Sequence, residues 1–400
     1  MKRYCELRCL GGRRQVLSWA LFLLALVTVL GGAPLMRQSA GEACPTAARV
    51  IYESEGEVTW IDALGRTGDR ALIWEAIPQS TRSTRLLQLD PTSGSPRVLH
   101  EGVEAPLRNH SNRAGITEDG GRAALIGTQM REGAGDEDEL LVTDDFRNWA
   151  VVATQGHRGL ICPRWNPDGS ALAFLSVDTG RSGMLPVDVA VVPVPLPAPF
   201  GAARVLTSPG DHATGAEWSA DGKRLFLAVY RPDRHDSYIE SVDWPLLRRR
   251  MIKTAKALGN LSVAHETGEV VFAEDLIPEA GKSTPNAHTH GVLWRLSPDG
   301  TLSKTSVQLD DKPRFAVAVS PDGKHFAVVP SQEGNRLAPW GRGLVVFSLA
   351  DGTRHVYQEL AKTPIISVAW VLGGRALLVA EQGKRVWLVE MDAAIAPGTS

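Results

Sequence analysis

The chain has 400 residues, 43% of them hydrophobic, so it can bury a large core and lies well past the limits of a small domain. A formal net charge of −2 gives no electrostatic case for a nucleic-acid partner. The 39 glycines and 25 prolines are what frequent turns require, and no long low-complexity block points to disorder.

The amino terminus differs from everything after it. Lys2, Arg3, Arg8, Arg13 and Arg14 precede an uncharged stretch over 15–36 with an apolar heart at 16–30. A positive flank followed by an apolar segment predicts an export signal or a membrane anchor in one apolar helix. Gly31-Gly32-Ala33 offers small residues for cleavage, but Pro34 follows directly. Left uncut, about twenty residues at helical rise would just span a bilayer core. Both readings stay open, and both put the remainder outside the cytoplasm, in the periplasm, outside the cell or membrane-anchored through residues 16–36. Residues 1–36 are therefore the leader, 37–48 a linker, 49–392 the folded domain and 393–400 a disordered tail. Cys5 and Cys9 lie in the leader; Cys44 and Cys162 are permitted, not required, to pair.

From Gly68 to Gly373 one pattern recurs: a tight turn ending in glycine, then a run of apolar strand formers. Trp165-Asn166-Pro167-Asp168-Gly169, Trp218-Ser219-Ala220-Asp221-Gly222 and Val319-Ser320-Pro321-Asp322-Gly323 are its clearest copies. Looser ones end at Gly68, Gly120, Gly268 and Gly373, giving intervals of 52, 49, 53, 46, 55 and 50 residues. Four strands, a to d, fit each interval, which predicts an all-β fold, a seven-bladed β-propeller. Six blades is the runner-up, if the irregular first unit is not a true blade. In the sixth unit the strands fall at 315–319, 326–329, 344–349 and 355–359, with Asp351-Gly352 suited to the c–d hairpin. Pro298-Asp299-Gly300 comes too soon before Gly323 to open another blade and reads as a c–d hairpin of the fifth. The seventh unit lacks a strand d, and the orphan strand at 49–53 is expected to supply it and close the ring.

The three clear turns resemble the repeats of the TolB-like propellers, relatives of the WD type common among exported bacterial proteins. The resemblance spans roughly residues 49–392. It implies a propeller fold in the bacterial envelope, in a family that includes translocation and envelope proteins, oligopeptidase propellers and an oligogalacturonide lyase branch. The amino-terminal domain typical of TolB itself is missing from the pattern here. The turn aspartates Asp168, Asp221 and Asp322 read as structural, since aspartate accepts backbone hydrogen bonds and glycine takes the left-handed position.

The b–c and d–a connections read as long, at 79–84, 128–139, 178–185, 274–290 and 330–342, and share one pole. Long loops on a rigid scaffold are where binding resides. His110, His157, His212, His235 and Trp340 are the candidate binding-face residues there, and His100 falls in the same class of connection. Asn286-Ala287-His288-Thr289-His290 is the candidate site for a divalent metal, because alternate residues of an extended segment point one way. It is similar to the paired histidines of the lyase branch, with Pro285 where that branch has glutamine. The acidic run 136–139 reads as a solvated loop tip, Asn109-His110-Ser111 as an ordinary polar loop, and the basic run from Arg248 to Lys256 as a charge-guarded outer strand.

No nucleophile elbow, Walker loop, zinc-protease helix or dinucleotide fingerprint is present, and the repeats leave no room for a hydrolase domain. The leading expectation is a non-catalytic, monomeric scaffold that binds a protein or envelope partner through its long-loop pole. A propeller enzyme, a metal-assisted lyase or hydrolase acting on a sugar or lactone at the channel mouth, is the alternative.

Overall fold

The computed structural model describes residues 48–391 except 65–67, 77–82, 105–113, 118, 132–134, 146–147, 157, 179–186, 195–200, 277–289, 310–313 and 331–340. The leader, Cys44 and the tail after Met391 therefore lie outside the described residues. Among those described, no helix is long and apolar enough to cross a membrane.

Strands follow one another in antiparallel groups of four. The first comprises β1 (Ala48–Leu64), β2 (Arg70–Ala76), β3 (Ser83–Leu89) and β4 (Pro96–Glu104). The second is β5 (Ala114–Ile116), β6 (Ala123–Arg131), β7 (Gly135–Thr143) and β8 (Ala150–Gly156). The third is β9 (Arg158–Trp165), β10 (Ala171–Asp178), β11 (Val187–Pro193) and β12 (Arg204–Val205). The fourth is β13 (His212–Trp218), β14 (Arg224–Arg231), β15 (Asp236–Asp243) and β16 (Arg249–Ala255). Next come β17 (Leu258–Val263), β18 (Val270–Leu276), β19 (His290–Leu296) and β20 (Leu302–Leu309). The sixth group is β21 (Arg314–Val319), β22 (His325–Pro330), β24 (Val345–Ser348) and β25 (Arg354–Val356), with the short β23 (Gly341–Arg342) reaching out to the group that follows. That last group is β26 (Pro364–Val371), β27 (Ala376–Glu381) and β28 (Gly383–Glu390).

The missing fourth strand is the first half of β1. Val50 stands opposite Trp387 on β28, whereas Glu57 to Leu64 pair with β2. One 17-residue strand thus serves the last group and then the first, joining them into an eight-stranded sheet. The first strands touch in chain order, β1 with β5, β5 with β9, β9 with β13, β13 with β17, β17 with β21 and β21 with β26. β26 touches β1 in turn, so the order is cyclic.

The second strands explain how the groups stick together. They are buried on both faces and so read as unbroken apolar runs, with the period of two sorting each residue to one side. On β10, Leu172 and Phe174 pack toward the second group, while Ala173 and Leu175 pack toward the fourth. On β27, Leu377 and Val379 face the sixth group, and Leu378 and Ala380 face the first. Each such side chain contributes about 1.5–3 kcal/mol on burial.

The turn between the first and second strands is the repeated unit seen in the sequence. All seven of its glycines, from Gly68 to Gly373, have φ between 62° and 73°. In four copies the glycine N–H donates to the carbonyl of Thr117, Asn166, Ser219 or Ser320 at 2.9 Å. The same residue's side-chain oxygen accepts the N–H five residues on, from Arg122, Ala171, Arg224 or His325, also at 2.9 Å. The hydroxyls of Thr117, Ser219 and Ser320 donate to Asp119, Asp221 and Asp322 at 2.6 Å. The Thr117 hydroxyl holds Asp119 below the usual carboxylate range; burial pushes Asp221 and Asp322 upward, but their turn hydrogen bonds outweigh it. These aspartates are structural.

Indoles tie neighbouring groups together. Trp218 Nε1 donates 2.9 Å to the Arg164 carbonyl, and Trp370 Nε1 donates 3.0 Å to that of Ala318. Both acceptors are the next-to-last residues of the preceding first strand. Trp165 occupies the same place, but its buried Nε1 finds no acceptor.

Several expectations change. The acidic run 136–139 is not a solvated tip: β6 and β7 extend through it, Asp138 and Glu139 are buried, and Asp138 accepts the Leu160 N–H at 2.9 Å. His100 lies inside β4 opposite Leu86, not in a connection. The Pro298-Asp299-Gly300 turn joins β19 to β20, as its spacing implied. Since the indole bond is absent only at Trp165, Trp218→Phe and Trp370→Phe should each cost about 1 kcal/mol more than Trp165→Phe. Urea unfolding of the three variants measures that difference.

Candidate functional site

The ends of the second strands form the rim from which the long connections leave. Their charges are locked in place. Glu75, fully buried on β2, accepts from Tyr52 at 3.0 Å, from Arg85 Nε at 2.5 Å and from Ser54. Burial, and then the Glu75 charge, push the Tyr52 hydroxyl up to about 12. Glu274 accepts from Trp294 Nε1 at 2.6 Å and pairs with Lys253 at 3.3 Å, whose ammonium stands 3.9 Å from the Trp294 ring centroid. Glu381 holds Trp387 Nε1 at 2.9 Å and Arg385 at 3.2 Å. On the fourth group Arg231 grips Asp236 with both arms, at 2.7 and 2.6 Å.

Two candidate binding-face histidines meet on this rim. His212 opens β13 with its ring centroid 6.3 Å from that of Tyr230, and the Tyr230 hydroxyl lies 3.4 Å from His235 Nδ1. They belong to one sheet and do not converge with another. His290 is the first residue of β19. His110, His157, His288 and Trp340 lie outside the described residues, and so does the Asn109-His110-Ser111 loop. Among the described residues no group of three or more His, Cys, Asp or Glu side chains is placed to hold a metal ion.

A second polar cluster, not singled out from the sequence, sits on the first strands near their other ends. Arg164 of β9 donates to Glu217 of β13 at 3.1 Å, joining equivalent positions of consecutive groups. Asp62 of β1, Cys162 and His265 lie within electrostatic range of this pair. Asp62 is half-buried. Burial raises its carboxyl to about 6, against the attraction of Arg164 and with the repulsion of Glu217. Burial works against the Arg164 charge, but Glu217, Cys162 and Asp62 outweigh it and hold the guanidinium more firmly protonated. Burial also pushes the Cys162 thiol up. The cluster offers a carboxyl group that gives up its proton near pH 6, beside a second acid and a guanidinium, which suits a polar ligand. Its sequence signal was a single charge before the tryptophan that ends β9 and β13. Recognising it required knowing that side chains opposite that tryptophan face the axis.

No family model matches the chain, and no curated protein matches it. Solved structures do. The Cps50 (Swd1) β-propeller domain of Myceliophteria thermophila superposes with a TM-score of 0.55 at 13% identity, over 86% of this chain and 100% of that one. The C-terminal WD40 domain of Sif2 gives 0.51 at 14%, over 88% and 100%. An oligogalacturonate lyase in complex with manganese gives 0.45 at 14%, over 87% and 80%. At these identities the likeness concerns fold, which is a propeller-like all-β architecture.

The Asp62 carboxyl makes a testable claim. Its folded value lies above the 3.8 of the free group, so the native state binds the extra proton between 3.8 and about 6. Stability contributed by the protonated acid is present below that window and lost as pH rises through it. Asp62→Asn should therefore be more stable than the parent at pH 7.5 and show no such gain at pH 3.5. Denaturant midpoints at the two pH values decide it.

Proposed function

We propose that this chain is a seven-bladed β-propeller that acts as a non-catalytic, monomeric scaffold in the cell envelope, binding a protein or envelope component through its long-connection pole. The cyclic contact of the first strands supports seven blades over six, because the group containing β1 to β4 carries a full set of strands. The positively flanked apolar leader supports export, with the propeller outside the cytoplasm and either released or held by residues 16–36.

The observation that carries the binding role is the locked rim. Glu75, Asp236, Glu274 and Glu381 are each committed to partners on their own or the adjoining sheet. A rim so fixed mounts the connections rigidly, which is what a preorganised binding face needs. WD40-type propellers share the fold, and that likeness adds architecture only.

A photo-crosslinking residue at His235, on the long-connection pole, should capture a discrete partner in the native host. The same residue at Asp351, on a c–d turn, should capture none. Equal capture from both positions, or none from either, would refute docking on this pole. A reporter active only outside the cytoplasm, fused after Ser400, tests the location.

The Asp62 and Glu217 carboxyls beside Arg164 favour a second reading, an enzyme acting on a sugar or lactone, since two acids and a guanidinium from three strand groups lie together there. Turnover that disappears in Asp62→Asn and survives His235→Ala would support it. The metal-assisted form rests on His288 and His290, and calorimetric uptake of manganese, zinc or calcium lost on replacing both would be its evidence.

A further inference from the structure

We propose that the cleft between the fourth and fifth strand groups is a binding site for a tetrahedral dianion, a phosphoryl or sulfuryl group, held by Arg224 and Arg250. The starting point is the basic run at the start of β16. Structure divides its members. Arg249 donates to the Leu206 carbonyl and pairs with Glu240 at 3.3 Å, and Lys253 is held by Glu274 and Trp294. Charge-guarding of an outer strand accounts for neither arrangement. Arg250 is different: among the described residues its side chain makes no hydrogen bond or ion pair.

Register places Arg250 beside a second guanidinium. Arg250 stands opposite Ser241 of β15, which stands opposite Phe226 of β14. Arg224 lies two residues before Phe226 and therefore on the same face. Its guanidinium carbon is 5.6 Å from the Phe226 ring centroid; the side chain makes no hydrogen bond or ion pair among the described residues, and the Asp221 carboxylate lies within electrostatic range of it. Asp243, opposite Arg224 in register, does not pair with it. Across the cleft the fifth group presents Leu296, Leu302 and Gly300. Gly300 has no side chain to fill the space; a Cβ there would lie 3.3 Å from Arg250 Nη1. Asp299 of the same turn is engaged by the Thr301 N–H at 2.8 Å.

These residues line a cleft, open to solvent on one side, with a volume of about 60 Å³ bordered by both arginines and Ser241. At roughly 10–15 Å³ per enclosed water it has room for a handful of waters. That suits one compact oxyanion. Two guanidiniums with no ion pair among the described residues favour a doubly charged ligand, and the forked donors of arginine match phosphate and sulfate oxygens. Phe226, Leu296 and Leu302 supply apolar walls beside the guanidiniums.

Calorimetry of the full chain at fixed ionic strength, with inorganic phosphate and then sulfate as titrant, tests the site. Binding should weaken at least tenfold in Arg224→Gln and in Arg250→Gln. It should be partly retained in Arg250→Lys and unchanged in Arg248→Gln, whose side chain does not line the cavity. Phosphate should raise the melting temperature of the parent and of Arg248→Gln but not of the two Gln variants, which separates lost binding from lost folding. Glycerol phosphate distinguishes an esterified ligand, which binds as well as the free ion, from free phosphate, which alone would bind; either outcome upholds the site. Phosphate binding that survives both Gln substitutions, or succinate binding as tightly as phosphate, would overturn it.

Discussion

Two-sided burial of the strand groups is the constraint on which the rest depends. A sheet whose second strand is apolar on both faces cannot end a stack, because its outer face would stand open to water. The apolar sides of β10, β14 and β27 each find a different neighbour, and no group among those described is left with a bare face. A linear array would need polar capping groups at both ends. A cyclic one needs none, but it must be fastened where the chain begins and ends. β1 does this by being a single strand with two partners, paired to β28 over one half and to β2 over the other. Ser54 and Glu75 sit where it passes from one partner to the next, and their hydrogen bond, with those of Tyr52 and Arg85 to the same carboxylate, fixes the crossing.

Crowding at the first strands follows from the same arrangement. Strands that face one another around an axis leave little space, and the chain meets this with small residues and shared hydrogen bonds. A Cβ on Gly115 would lie 2.6 Å from the Pro163 carbonyl oxygen, so β5 can approach β9 only with glycine there. Ser367 donates to the Ile61 carbonyl at 3.1 Å and Ser262 accepts the Val319 N–H at 2.9 Å, each bridging consecutive groups. The Arg164–Glu217 pair is the charged form of this bridging. Asp62 beside it, its carboxyl raised by burial to about 6, adds negative charge there only as pH rises past that value.

The fold was legible because its repeat rests on backbone geometry that few residues satisfy. A glycine at positive φ after aspartate, two residues beyond serine, threonine or asparagine, is a local requirement, and it survives in the sequence even where the flanking strands drift. Gly68 and Gly373 could thus be placed although their turns lack the aspartate. What failed was the reading of polarity as exposure. Asp138 and Glu139 look like a loop, yet they are strand residues whose backbone is paired and whose carboxylates are buried. The axial cluster was missed for the converse reason: Asp62, Arg164 and Glu217 are isolated charges in apolar strands, and only the closure of the order brings residues from three groups together.

Charge is distributed in three distinct ways, and each follows from where a strand sits in its group. Acids at the ends of second strands meet cations or indoles from the strands beside them, which are close at hand on both sides, and so are neutralised. Charges on first strands meet one another between groups, as Arg164 meets Glu217, and burial there raises the Asp62 carboxyl. Charges on fourth strands face outward, where a partner is present only if the neighbouring group supplies one. For Lys253 it does, through Glu274. For Arg250 the neighbouring group supplies a glycine turn and two leucines instead, so the same run of basic residues is neutralised at one place and left open at another. The difference lies in the fifth group, not in the basic run, and this is why composition alone reads the segment as a guarded edge.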